Sequence, residues 1–269
     1  MNKYLNGNKQ WQLAVCDWPR LFYTVLAFIL WRDLTQLFSV PNHMSSPIWL
    51  WRWMQDSNPQ NIYKLVILSA LGLALFNTSK YQSRKTRIAL AIFAWLLDSL
   101  KGSFAKIDHN LISWCLVASL IALANDDEAL ALRIHQSQAV VAFNYFLAGL
   151  WKLRAICFSA LGFGAAMKSY LPFQILQSIR SGNTHIDLAE FVYSQPSIIW
   201  IATFAIFVVE LLPFLFLKNK KALVFLGTSI IIFHILSFFV LDVNYITMVF
   251  LVLILFVIEP IRRRQETIL

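Results

Sequence analysis

Apolar and polar positions divide the chain into eight apolar runs, at 21–40, 62–77, 88–104, 110–124, 139–152, 197–217, 222–241 and 245–258. About 20 apolar residues suffice for a helix to cross a bilayer. Runs of this kind, joined by short polar loops, therefore predict membrane-crossing helices. Several are shorter than that, and the fourth and fifth are expected to be tilted, kinked or partly re-entrant. A further stretch, 155–170, is apolar but interrupted by Gly162, Gly164, Ala165 and Ala166. It reads as an interfacial or re-entrant helix within an outer loop over 153–196. The expected fold is an all-α polytopic membrane helix bundle with about eight transmembrane helices. It is expected to form a single domain over 1–269, with no internal repeat.

Composition sharpens this picture. Of 269 residues, 58% are hydrophobic and only 14% charged, with a mean hydropathy of +0.61. That excludes a soluble globular domain and leaves the lipid bilayer as the first partner, in a multi-pass protein of the cell membrane. The net charge of +9 does not point to nucleic acid, because membrane proteins gather basic residues in their cytoplasmic loops. Three such clusters occur: Lys80, Arg84, Lys85 and Arg87; Lys218, Lys220 and Lys221; and Arg262, Arg263 and Arg264. With eight crossings all three fall on one side, which places both termini in the cytoplasm. Asp126-Asp-Glu128 lies on that side too, but acids weigh little in this rule. Cys16, Cys115 and Cys157 have no metal-like spacing, so neither a metal site nor a disulfide framework is expected. The first 18 residues hold no continuous apolar stretch, so no cleavable signal peptide is expected.

Ionisable residues inside apolar runs carry the functional information, since each is expensive in lipid unless partnered. Lys152 closes the fifth run. On a helix it shares one face with Tyr145, Ala148 and Gly149, at i, i+3, i+4 and i+7. Small residues on that face admit another helix or a flat ligand. A lysine at a helix end can also simply snorkel to the headgroups. Counted at about 1.5 Å per residue from the run ends, Asp33, His109, Lys152 and His234 all fall in the outer half of the bilayer. The four are expected to converge on one cavity. Glu210, counted the same way, falls about 20 Å deep and outside this layer. It precedes Pro213 and reads as a partner for backbone that the proline leaves unpaired.

These residues also carry a resemblance. Tyr145-Phe-Leu-Ala-Gly-Leu-Trp-Lys-Leu153 resembles the Tyr-Phe-x-Ala-Gly-x-x-Lys-Leu segment of the vitamin K-dependent γ-glutamyl carboxylases. Asp108-His-Asn-Leu-Ile-Ser-Trp114 is similar to that family's Asn-His-x-Tyr segment. Phe233-His234, followed by a helix ending in Glu259-Pro260, resembles a late Phe-His segment. The wider group is the horizontally transferred transmembrane (HTTM) domain family. The resemblance implies that Lys152 acts as base on a quinol and that His109 orients it or holds the developing anion. It further implies that His234, with Tyr145, Gly149 and Asp33, lies on the side of a quinone or hydroquinone cofactor. Such a base must present a neutral amine, which an apolar bundle favours.

Two departures matter. The family's tyrosine after the histidine is replaced here by Leu111 and Ile112. The 153–196 loop is also too short to stand in for the family's large substrate-gripping domain, so glutamate carboxylation itself is not expected. Small HTTM members include proteins that mature secreted bacterial toxins of the sporulation-delaying type, which this chain resembles in size. Two readings follow. One is a lysine-base enzyme acting on a quinol or a secreted peptide at the outer face. The other is a non-enzymatic membrane partner in the maturation or export of a secreted peptide.

Overall fold

The computed structural model describes residues 18–35, 59–79, 83–103, 109–159 and 163–266, and every regular element among them is helical. In chain order they are α1 (Trp18–Thr35), α2 (Pro59–Asn77), α3 (Arg84–Ser103), α4 (His109–Ala122), α5 (Asp127–Cys157), α6 (Phe163–Arg180), α7 (Ile186–Tyr193), α8 (Pro196–Leu215), α9 (Lys220–Leu241), α10 (Ile246–Val252) and α11 (Glu259–Glu266). The chain gathers into two compact units, Met1–Ser137 and Gln138–Leu269. Cys16, Lys80 and Asp108 lie outside the described residues, as do the side chains of His109, Asp127, Glu128, Arg263 and Arg264.

Four helical stretches are long and apolar enough to cross a membrane: Gln60–Asn77, Ala129–Cys157, Pro196–Leu215 and Lys220–Leu241. In each, no more than 39% of the apolar window is buried inside the protein. The outward faces carry Leu65, Leu68, Ile201, Phe204, Phe225 and Ile232. Apolar patches of that extent need a cover, and a bilayer supplies one. α5 is longer than the apolar run 139–152. Its first turns, Asp-Glu-Ala-Leu-Ala-Leu-Arg, are strong helix formers. Asp126 caps them by accepting the Ala129 N–H at 2.7 Å. In the second unit the 153–196 segment holds two helices, α6 and α7. Pro172 lies inside the first of them.

In the first unit α1 to α4 pack each on the next in sequence. Trp18, Phe22 and Trp114 stack at its core, with ring centroids 5.5 and 5.1 Å apart. The α2–α3 turn is tied from inside by buried Asn77. It donates to the Leu73 carbonyl at 2.9 Å and accepts the Thr86 hydroxyl at 2.8 Å. Arg87 donates to the Ala124 carbonyl at 2.9 Å, satisfying an acceptor at the end of α4.

Between α10 and α11 the helix widens to a π-helical stretch over Leu253–Ile258. There the Glu259 N–H reaches the Ile254 carbonyl, five residues back. In that register the Leu255 carbonyl would receive the N–H of residue 260, which is a proline and has none. The buried Gln138 side chain fills the gap, donating Nε2 to Leu255 O at 2.7 Å. Gly227 of α9 lies against the same stretch. A Cβ there would sit 2.6 Å from the Phe256 Cβ.

Candidate functional site

α5 and α8 run antiparallel through the second unit, and their contacts read as a ladder. The Phe146 and Phe214 rings are 5.4 Å apart. Gly149 lies under Leu211 and Glu210, so that a Cβ on it would be 2.9 Å from Leu211 Cδ2 and 3.2 Å from Glu210 Cβ. One turn on, Lys152 Nζ forms an ion pair with Glu210 Oε1. Ile156 then shares a buried cluster with Phe207. The small face of α5 therefore admits a helix, α8, in the place where a flat ligand was the other expectation for Gly149.

The pairing puts Glu210 level with Lys152, which counting from the run ends did not. Counting from run ends assumed that neighbouring segments start level. In the structure α5 continues past Lys152 to Cys157, and α8 begins well beyond the end of α5. Its overhang is covered by α6 and α7, with Leu171, Ile175 and Ala189 clustering around Ile199 and Ile206. Glu210 therefore meets Lys152 despite its distance from Pro196. A carboxylate could not serve the Val209 carbonyl that Pro213 leaves unpaired, since both are acceptors.

Lys152 opens on a cavity of about 400 Å³, within the range of small-ligand sites. One wall is polar: Gln174, Gln177 and Ser178 recur at i, i+3 and i+4 along α6, and Ser181 follows in the turn at its end. The other side is mixed: Ile206, Phe233, Leu241 and Val243 are apolar, Ser237 and Asp242 add a hydroxyl and a carboxylate, and Tyr170 and Tyr245 also border the space. Burial, with the nearby Glu210 and Tyr245 adding to it, pushes the Tyr170 hydroxyl up to about 12. It therefore remains a hydrogen-bond donor at neutral pH.

His234 stands behind Tyr245, their ring centroids 4.6 Å apart, and hydrogen-bonds the Tyr145 hydroxyl through Nε2 at 2.6 Å. Tyr145 and His234, placed on one site from the sequence, are thus in direct contact. Two polar atoms of this region are buried with no partner among the described residues: Glu210 Oε2 and His234 Nδ1. Each has an unmet hydrogen-bonding capacity.

The other two expected members belong to the first unit. Asp33 is buried and taken up by cations: Oδ1 accepts from Arg32 at 3.2 Å and Oδ2 pairs with Lys101. His109 opens α4. Among the described residues no group of three His, Cys, Asp or Glu side chains is placed to hold a metal ion. The residues around the cavity suit a phenolic or quinone ring, offering apolar side chains, the Lys152 ammonium and two tyrosine hydroxyls. Glu210, the partner of Lys152, was left out of the sequence-derived set. Its signal was a lone acid in an otherwise apolar run, with Lys152 as a cation in need of a partner. No protein-family model, characterised protein or solved structure matches the chain.

Proposed function

We propose that the chain is a multi-pass protein of the cell membrane, crossing it eight times with both termini in the cytoplasm. In this reading the second unit works as a lysine-base enzyme on a hydroxylated ring such as a quinol, or on a secreted peptide, at the outer face. α1, α3, α4 and the α10–α11 stretch supply the four crossings beyond the four most apolar ones. The observation that carries the enzymatic reading is that Lys152, which lines the cavity, is paired behind it with Glu210, whose Oε2 is buried and without a partner among the described residues. Within such a pair the proton can pass from Nζ to the carboxylate. Lys152 then presents a neutral amine to the cavity, while the protonated Glu210 stays hydrogen-bonded to it. The amine accepts a proton from a phenolic hydroxyl held between Tyr170 and Tyr245. The resulting ammonium is balanced by the phenolate it has created, while Glu210 keeps its proton until the product leaves and the ion pair re-forms. A bound quinol would supply the acidic hydroxyl and its redox capacity, and the apolar side chains would hold its ring.

Lys152→Arg tests this, because arginine keeps the charge and the pair but does not release its proton. The assay is the oxidation by air of a naphthohydroquinone, which speeds up once a hydroxyl is ionised. The wild-type protein in nanodiscs should accelerate it about a hundredfold at neutral pH, in the range of general-base catalysis. Lys152→Arg should abolish the acceleration while still binding the oxidised naphthoquinone, read by tryptophan quenching. An arginine variant as fast as wild type would remove the base. One observation then favours a second reading, a non-enzymatic membrane partner in secreted-peptide maturation or export: the pair joins α5 to α8. Under that reading the exchange Lys152→Glu with Glu210→Lys should restore what either single change loses, which a base mechanism does not permit.

A further inference from the structure

We propose that Lys220 and Lys221, at the head of α9, bind an anionic phospholipid, with the phosphate on the two ammonium groups and an acyl chain against the adjoining apolar wall. A second cavity, of about 260 Å³, lies here, and its lining is confined to Lys220, Lys221, Val224, Pro260 and Ile261. Two cations over an otherwise apolar lining match an amphiphile with an anionic head. A wholly polar anion would gain nothing from the wall.

The charges are free to act. Both lysines are exposed, and neither forms an ion pair among the described residues. The neighbouring carboxylate, Glu259, is fully buried and already held by Arg262 at 2.9 and 3.0 Å. The Asn219 side chain caps α9 by accepting the Ala222 N–H at 3.1 Å. The N–H groups of Lys220 and Lys221 therefore remain at the positive end of a 22-residue helix, adding to the pull on a phosphate. Beyond the head, Phe225 and Ile232 stand exposed at i and i+7, continuing an apolar track along α9. Basic pockets at the ends of membrane helices take lipid headgroups in this way.

The test is native mass spectrometry of the full chain, extracted from vesicles of equal phosphatidylglycerol and phosphatidylcholine. The wild type should retain phosphatidylglycerol preferentially. Lys220→Gln with Lys221→Gln should lower that preference by about 30-fold, the loss expected for two basic residues at a headgroup. Arg84→Gln with Lys85→Gln, at another basic turn, should leave it unchanged. Ile261→Asp, which keeps both lysines but spoils the apolar wall, should also lower it. Equal retention of the two lipids, or a double lysine variant with its preference intact, would overturn the proposal. So would the same loss in the Arg84/Lys85 control, or displacement of the lipid by excess inorganic phosphate, which would mark a plain anion site.

Discussion

Among the described residues, Asp33 in the first unit and Glu210 in the second are buried carboxylates paired with a lysine, and the two are used differently. In the first, Asp33 is 7% exposed and Lys101 11%, and both carboxylate oxygens are occupied, one by Arg32 and one by Lys101. In the second, Glu210 is 4% exposed but Lys152 is 25% exposed, and only one carboxylate oxygen is occupied. A carboxylate with both oxygens taken ties helices together and has no acceptor left to offer. A half-satisfied pair whose lysine lines a cavity retains capacity for a proton or a ligand. Residue type alone does not separate these cases. The count of partners per oxygen does.

The comparison is most directly broken by neutralising each acid. Asp33→Asn removes the carboxylate charge that Arg32 and Lys101 share and should cost about 3–5 kcal/mol, the usual penalty for breaking a buried ion cluster. Glu210→Gln keeps an acceptor for Lys152, whose ammonium can turn to the cavity, and should cost about 1 kcal/mol. Thermal unfolding in detergent reads both, and an inverted order would remove the distinction. Gln138→Leu calibrates the value of one orphan acceptor. It leaves the Leu255 carbonyl bare and should cost about 1–3 kcal/mol. Pro260→Ala in the same chain should restore most of that by returning the missing N–H, so the two changes should be non-additive.

Tyr145→Phe removes the bond to His234 Nε2 and should cost about 1 kcal/mol. The smallest effect is expected from Gly149→Ala. The new Cβ meets the movable end of Leu211 first, so stability should fall by less than about 1 kcal/mol. Naphthohydroquinone turnover should fall more clearly, because Glu210 has to shift relative to Lys152. A change in stability without a change in turnover would show that the pair's geometry does not matter to the chemistry.

The all-helical fold was legible because apolar runs mark helices wherever the surroundings are apolar. The runs at 62–77, 88–104, 110–124, 197–217 and 222–241 coincide closely with α2, α3, α4, α8 and α9. The first turns of α5 escaped because their residues are polar, and polar helix formers carry no hydropathy signal. The stretch 155–170 reads as a helix, but its bounds escaped: Gly162 and Gly164 interrupt the pattern near where α6 begins, and the helix continues through Pro172 to Arg180. At the site, the spacing Tyr145–Gly149–Lys152 identified a face correctly, but what covers that face depends on the stagger of α8 against α5. Stagger is a tertiary quantity with no local trace. Asp33 shows the converse, since an ionisable residue in an apolar run was fully accounted for by cations one residue and 68 residues away.

The amide of Gln138 also bears on how the chain is put together. The carbonyl that it serves lies 117 residues further along, so the donor is synthesised long before its acceptor. The final helical stretch then arrives with one backbone group that its own sequence cannot satisfy, and the remedy is already in place on α5. That makes α5 a docking post and the last stretch a dependent part. Transplanted into another bundle, Ile246–Glu266 would need a side-chain donor at the same height. Expressed without α5, it would keep an unmet acceptor in apolar surroundings and be the first piece to be lost to quality control.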